Sequence, residues 1–124
     1  AEIKTVEEFN DPNEVKVVIG ENNNAIYFSR EPIPSKQKWE GDVPMLKQVC
    51  IIPFRRDYLL EFNATLQTTL EKIESIDMLR TVENGDKVRM IEMQHESLSV
   101  DTQHDLDRVV EAMTNDKLVP EYAN

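Results

Sequence analysis

Short runs of β-branched residues predict the first strands of this chain. Two such runs, at residues 15–19 and 25–29, flank a Gly- and Asn-rich turn at 20–24, which is the pattern of a β-hairpin. Residues 49–54 form an almost continuous apolar run, which predicts a central strand covered on both faces, with Cys50 buried in it. A further strand is predicted over residues 87–93.

Apolar residues at helical spacing predict helices over residues 6–9, 57–63, 68–82 and 102–113. The third helix begins with a Thr-x-x-Glu capping box and ends at an Asn-Gly pair. Its apolar side chains are expected to face the core: Leu70, Ile73, Ile76, Leu79 and Val82. Strands mixed with helices predict an α/β sheet with helices on its faces. The run at 49–54 has few possible strand neighbours, so we expect the sheet to be incomplete.

The composition of the chain limits its class of function. Its 124 residues fit one domain, and the formal net charge of −10 argues against nucleic acid or an anionic membrane as a partner. No apolar run reaches the ~18 residues that a membrane span needs. With one cysteine, the chain cannot form an internal disulfide, so we expect a cytoplasmic location.

Three acidic residues are candidates for binding chemistry. Asp101 precedes the last predicted helix, where a carboxylate can bind a metal ion or simply cap the helix. Glu71 closes the capping box of the third helix or contacts a polar substrate. Glu74 follows one turn later on the same flank, where a solvated charge is the alternative.

Four segments, taken in order, resemble the C-terminal half of 3-deoxy-manno-octulosonate (Kdo) cytidylyltransferases, the CMP-Kdo synthetases. They lie at residues 13–34, 48–55, 70–85 and 100–106, and the resemblance extends over about residues 3–113. The combination of Tyr-Phe-Ser-Arg at 27–30 with Leu-Glu-x-x-Glu at 70–74 is its most specific part.

The resemblance implies part of a three-layer, nucleotide-diphospho-sugar transferase-like (Rossmann-like) mixed sheet. Residues 1–113 would be the sugar-binding and dimerisation half, and 114–124 a polar tail. The complete protein would be a Mg²⁺-dependent homodimer that makes CMP-Kdo and pyrophosphate from CTP and Kdo for lipopolysaccharide. This chain alone would be inactive, because the CTP-binding half is absent.

The resemblance also implies roles for individual residues. Asp101 would be a metal ligand, Glu71 would contact the sugar with Glu74 beside it, and Arg30 would hold the sugar carboxylate. A surface ion pair is the alternative for Arg30. Gln48 would line the sugar site, although the family usually has histidine there, which leaves a related nine-carbon or amino sugar open as substrate.

The sequence also leaves a second function open. Residues 31–47 are rich in proline and have no period, which is typical of a lid, a binding loop or an oligomer contact. The alternative function is therefore a non-catalytic α/β module that binds a partner through this loop.

Overall fold

A computed structural model describes residues 1–93, 98, 100, 102–116 and 118–119. Its two strands are β1 and β2, and its helices α1 to α5 are distributed before and after them. In chain order the elements are α1 (Val6–Asn10), β1 (Lys16–Ile19), β2 (Ala25–Ser29), α2 (Arg56–Ala64), α3 (Thr69–Glu74), α4 (Met78–Glu83) and α5 (Gln103–Thr114).

The predicted hairpin is confirmed. β1 and β2 pair antiparallel, with Lys16 opposite Ser29 and a register shift between Val18 and Ile19. In the turn, Gly20 N–H donates to the carbonyl of Asn24 at 2.9 Å. Asn23 adopts a φ of 57°, a left-handed conformation that Asn tolerates better than most residues.

Two further segments lie along the edges of the hairpin. Residues 46–48 follow the free edge of β1, where Val17 N–H donates to Leu46 O at 2.9 Å. Residues 88–90 follow β2, where Ala25 N–H donates to Val88 O at 2.9 Å. Main-chain groups on both edges of the hairpin are therefore partly satisfied by irregular segments.

The α/β class is confirmed, but two predicted strands are wrong. Residues 49–54 are not a strand: Ile51 is 75% exposed, and Cys50 is exposed rather than buried. Pairing with β1 ends at Gln48, so the following apolar run has no neighbouring strand to bond with. Residues 87–93 make one isolated bridge, between Asn24 and Arg89, instead of a strand. In the described part of the chain the sheet has two strands.

The predicted helix over 68–82 is two helices, because the chain breaks at Ser75. Ser75 adopts φ 55° and ψ 47°, a left-handed conformation that ends α3. The break turns the apolar stripe, so Ile73 is 73% exposed whereas Ile76 and Leu79 are buried. The prediction that Ile73 faces the core is therefore wrong.

The hydrophobic core is small and lies between the hairpin and α4. Its buried residues are Val17, Phe28, Ile76, Met78 and Leu79. Helix α5, predicted over 102–113, is confirmed but contributes no buried residue. None of the described helices is long and apolar enough to cross a membrane.

Candidate functional site

The carboxylate of Glu74 joins the end of β2 to the end of α3. Its Oε2 accepts from the Arg30 main-chain N–H at 2.9 Å, and its Oε1 accepts from Ser29 Oγ at 2.9 Å and from the Tyr27 hydroxyl at 3.2 Å. Glu74 is therefore bound by three donors from one strand and the residue after it, and the alternative of a merely solvated charge is wrong. We call these residues, with Ser75, the β2–α3 junction.

The guanidinium of Arg30 completes the β2–α3 junction. Its Nε donates to Glu74 O at 2.7 Å, and its terminal nitrogens donate to Pro12 O at 2.8 Å and Ser75 O at 3.1 Å. These partners are main-chain carbonyls, two of them at the C-terminal end of α3, where such groups lack helical partners. The interpretation of Arg30 as a surface ion pair is therefore wrong.

Arg30 still has donors to offer. A guanidinium has five N–H groups, and the described partners take one from Nε and one from each terminal nitrogen. Two N–H groups remain, one on each terminal nitrogen. Unused guanidinium N–H groups can donate to a carboxylate.

The Tyr27 hydroxyl donates to the same carboxylate, and its pKa is raised. Burial raises the pKa of the Tyr27 phenol, and the nearby charge of Glu74 raises it further. The phenol therefore remains a hydrogen-bond donor to Glu74 at neutral pH, and the junction keeps its arrangement of donors.

Glu71 is not among the partners in the β2–α3 junction and forms a buried ion pair with Arg80. Its side chain is 4% exposed, and Arg80 Nε donates to its Oε2 at 2.8 Å while a terminal nitrogen donates to Oε1. Gln67 Nε2 and Thr68 N–H donate to the same carboxylate, so the predicted capping box is confirmed. The Arg80 guanidinium lowers the pKa of Glu71 below its ordinary value of 4.5, while burial acts in the opposite direction.

Arg80 is a central residue that the sequence analysis missed. Besides Glu71, it donates to Phe62 O at 2.9 Å and Thr65 O at 3.2 Å, and its guanidinium lies 4.2 Å from the Phe62 ring centroid. It therefore ties the C-terminal end of α2 to α3 and α4. Arg80, Phe62 and Thr65 border a pocket of about 290 Å³. The pocket is also lined by Tyr58, Glu61, Thr81, Asn84 and Asp86.

Gln48 lies at the same end of the hairpin as Arg30. Lys16 is opposite Ser29 on one side and Lys47 on the other, so Arg30 and Gln48 each come one residue beyond a partner of Lys16. The Gln48 N–H donates to Val15 O at 2.8 Å. Its Oε1 is buried and has no hydrogen-bond partner among the described residues. Buried polar atoms are normally hydrogen-bonded, so this oxygen can accept a hydrogen bond from water or a ligand.

Lys47, next to Gln48, is held by two glutamates that the sequence analysis did not single out. Its Nζ lies 2.6 Å from Glu8 Oε1 and 3.0 Å from Glu14 Oε1, and the side chain is 9% exposed. Burial alone would lower the pKa of Lys47, but the hydrogen bonds to the two glutamates outweigh burial and raise it. The pair of ion bridges fixes the segment that carries Gln48 against α1 and β1.

The predicted metal ligand, Asp101, lies outside the described residues, as do residues 117 and 120–124 of the predicted tail. Thr102 is the N-cap of α5: Asp105 N–H donates to its Oγ1 at 3.2 Å. Among the described residues, no cluster of three or more His, Cys, Asp or Glu side chains could hold a metal ion.

Comparisons with known proteins agree with this architecture. A solved structure described as CMP:2-keto-3-deoxy-manno-octonic acid synthetase complexed with CTP superposes with a TM-score of 0.79 at 33% identity, over 90% of this chain and 46% of that one. The 3-deoxy-manno-octulosonate cytidylyltransferase of Fusobacterium nucleatum is 43% identical over 104 residues, which is 84% of this chain and 42% of that protein. The same enzyme from Geobacter metallireducens is 40% identical, over 90% of this chain and 48% of that protein.

The fold is thus similar to that of a solved CMP-Kdo synthetase over most of this chain. The family model described as Cytidylyltransferase matches residues 1–91. The chain belongs to the cytidylyltransferase family, and it spans about half the length of the curated relatives that it matches.

Proposed function

We propose that this chain is the C-terminal, sugar-binding half of a cytidylyltransferase that transfers CMP from CTP to Kdo and releases pyrophosphate. The proposal is carried by two side chains at the same end of the hairpin. Arg30 has N–H groups that its described partners do not use, and Gln48 has a buried Oε1 acceptor without a described partner. Unused guanidinium N–H groups suit the carboxylate of an acidic sugar, and an unpaired amide oxygen suits one of its hydroxyl groups.

The remaining parts of the proposal rest on the relatives. They are named as Kdo cytidylyltransferases, and one is complexed with CTP. A role in lipopolysaccharide assembly, a cytoplasmic location, a homodimer and the need for a second half of the domain before catalysis are what the family resemblance of the sequence implies, and we include them in the proposal on that ground. A related nine-carbon or amino sugar is the alternative substrate, because Gln48 differs in shape and charge from the histidine expected there.

Mg²⁺ is part of the proposal through Asp101. Mg²⁺ binds through one or two carboxylates and keeps its other positions for water and phosphate oxygens. A single aspartate therefore fits it. The carboxylate of Glu71 is unsuited to this role, because Arg80, Gln67 and Thr68 already donate to both of its oxygens. Bound Mg²⁺ would offset negative charge on the phosphates of CTP.

The chain's own residues would act on the sugar. Arg30 would hold the carboxylate, Gln48 would fix a hydroxyl, and Glu74 would keep Arg30 in place through the hydrogen bonds described above. Family membership favours this transferase role over the non-catalytic module that binds a partner through residues 31–47.

Titration calorimetry with CMP-Kdo and Mg²⁺ tests the proposal. Because the Gln48 Oε1 has no partner among the described residues, Gln48→Ala should fold normally and bind CMP-Kdo roughly three- to tenfold more weakly, the loss of one hydrogen bond. CMP is the matched control ligand, and its binding should not change. Equal affinity of both proteins for CMP-Kdo would remove Gln48 from the sugar site.

Asp101→Ala is the second variant. It should abolish the dependence of CMP-Kdo binding on Mg²⁺ while leaving the helical circular dichroism unchanged. If wild type and Asp101→Ala respond identically to Mg²⁺, the aspartate is not the metal ligand.

A further inference from the structure

Lys16, at the start of β1, is a fully buried cation to which the proposed function gives no role. Its Nζ donates to the main-chain carbonyl of Asp11 at 2.7 Å. In the described part of the chain this carbonyl is its one hydrogen-bond partner, and the ammonium makes no ion pair there. An apolar side chain of similar length would fill the position without the cost of burying a charge. Stability alone therefore does not explain a lysine here.

The charges around Lys16 place it in the same electrostatic environment as Arg30. Burial lowers the pKa of Lys16, and the charge of Arg30 lowers it further. The carboxylates of Asp11, Glu14 and Glu31 act in the opposite direction and favour the charged ammonium. Two cations are thus accommodated at this end of the hairpin by three acidic side chains.

The carbonyl that Lys16 binds belongs to a tight turn between α1 and β1. Glu14 N–H donates to the same Asp11 oxygen at 3.2 Å, which closes the turn. The next carbonyl, that of Pro12, accepts from a terminal nitrogen of Arg30 at 2.8 Å. We call the four residues from Asp11 to Glu14 the α1–β1 turn. Lys16 and Arg30 therefore donate to consecutive carbonyls of one turn.

The α1–β1 turn supports one side of the Arg30 guanidinium. The other described partners of this group are the carbonyls of Glu74 and Ser75, at the end of α3. A planar group held from two sides has a fixed orientation, and its unused N–H groups then point in a fixed direction. If the turn moved, the acceptor at Pro12 O would move with it, and Arg30 would keep the α3 partners alone.

We propose that Lys16 is a positioning residue: by fixing the α1–β1 turn, it holds the Pro12 carbonyl that orients Arg30 toward the carboxylate of the sugar. The inference rests on the proposed function and adds to it a residue that acts through Arg30 without touching the sugar. Small displacements of a positioned group are enough to weaken its interaction with a substrate.

The Nε–Hε resonance of Arg30 tests the positioning in the full, ¹⁵N-labelled chain without any ligand. Arg30→Lys removes this resonance and thereby assigns it. Lys16→Met removes the ammonium and keeps a long unbranched side chain, and we expect it to shift or broaden the Arg30 resonance. Lys87 is exposed, so Lys87→Met is the control with the same change of charge and should leave the resonance in place.

Titration calorimetry with CMP-Kdo then measures the consequence for binding. Lys16→Met should bind CMP-Kdo roughly three- to tenfold more weakly than wild type, whereas its binding of CMP should not change. Lys87→Met should stay within about twofold of wild type. In the Arg30→Lys background, adding Lys16→Met should change the affinity by less than about twofold, because residues that act through one another are not additive.

The other outcomes overturn the proposal. If Lys16→Met leaves the Arg30 resonance and the affinity for CMP-Kdo unchanged, Lys16 does not position Arg30. If it weakens binding equally in the wild-type and Arg30→Lys backgrounds, it acts independently of Arg30. If Lys16→Met does not fold, as judged by circular dichroism, Lys16 is a residue of the fold. If the wild-type chain does not bind CMP-Kdo, the proposed function fails, and the Arg30 resonance by itself decides whether Lys16 positions the guanidinium.

Discussion

At the scale of a single residue, the carboxylate of Glu71 both closes a helix cap and forms a buried ion pair. Its position after Thr68 predicts the capping box, which the structure contains. Arg80 could not be predicted as its partner, because nine positions and a helix break separate the two residues, and only the tertiary fold brings them together. A sugar contact by Glu71 remains a prediction, and it would have to displace one of the donors now bound to its oxygens.

The Glu71–Arg80 pair should make stability depend on acid pH. Because Arg80 lowers the pKa of Glu71 in the folded protein, the pair stabilises the fold above the ordinary value of 4.5 and loses this contribution as the pH falls through the lowered pKa. At pH 7, Glu71→Gln should reduce the free energy of unfolding by roughly 3 kcal/mol, since Arg80 remains buried without its counter-charge. Urea denaturation measures both effects.

The difference between wild type and Glu71→Gln should shrink below the ordinary glutamate pKa of 4.5. Glu21→Gln, in the exposed hairpin turn, is the control and should stay within about 0.5 kcal/mol of wild type. A gap between wild type and Glu71→Gln that is constant from neutral pH down to about one unit below that value would contradict the ionic account and leave only packing.

Among the secondary-structure elements, the break between α3 and α4 at Ser75 is the feature that the hydrophobic pattern did not predict. The apolar residues of 70–82 continue the helical period across the break, so periodicity alone predicts one helix. The break is held from outside, because Arg30 donates to the carbonyls of Glu74 and Ser75. A contact from the residue that follows β2 therefore supports the end of α3, and the hydrophobic pattern of residues 70–82 does not contain that information.

Ser75 offers a test of the same break. A non-glycine residue in the left-handed region is strained, so Ser75→Gly should stabilise the protein by roughly 0.5–1 kcal/mol. Gly85, which has a φ of 85° and open space where a Cβ would lie, is the matched control. There, Gly85→Ala should destabilise by about 1 kcal/mol through the backbone alone. Thermal or urea unfolding measures both, and a destabilised Ser75→Gly would show that the serine side chain matters.

The molecule as a whole is more open than its sequence predicts. The hairpin, α1, α2 and α5 are all predictable, because local patterns of apolar and turn residues define them, with side-chain caps at the start of α1 and α5. The central strand at 49–54 is not, because an apolar run becomes a strand only when neighbours bond to it. The family resemblance points to Arg30 and Glu74 as part of the site, whereas the free oxygen of Gln48 and the role of Arg80 emerge only from packing.

The net charge of the chain should affect its stability. Like-charge repulsion at −10 destabilises a compact state, and at ~10 mM salt it acts over about 30 Å. Raising NaCl to about 200 mM should therefore raise the Tm by roughly 2–5 °C. Thermal melts of wild type and of a double variant, Asp107→Lys with Glu111→Lys, provide the comparison. Each change adds +2, which brings the formal net charge from −10 to −6, so the variant should respond less to salt. A Tm that falls with added salt would show that attractive ion pairs dominate.

The hydrogen bonds of Glu74 connect β2 to α3, and residues 31–68 separate these two elements along the chain. Closing a loop of this size loses entropy before any contact compensates for it. During synthesis, the hairpin can emerge and pair early, yet the buried core residues that join Phe28 and Val17 from outside the hairpin, Ile76, Met78 and Leu79, follow only with the end of α3 and with α4. The apolar side of the hairpin is therefore incompletely covered while residues 31–68 are being translated, and chaperones can bind it during that interval.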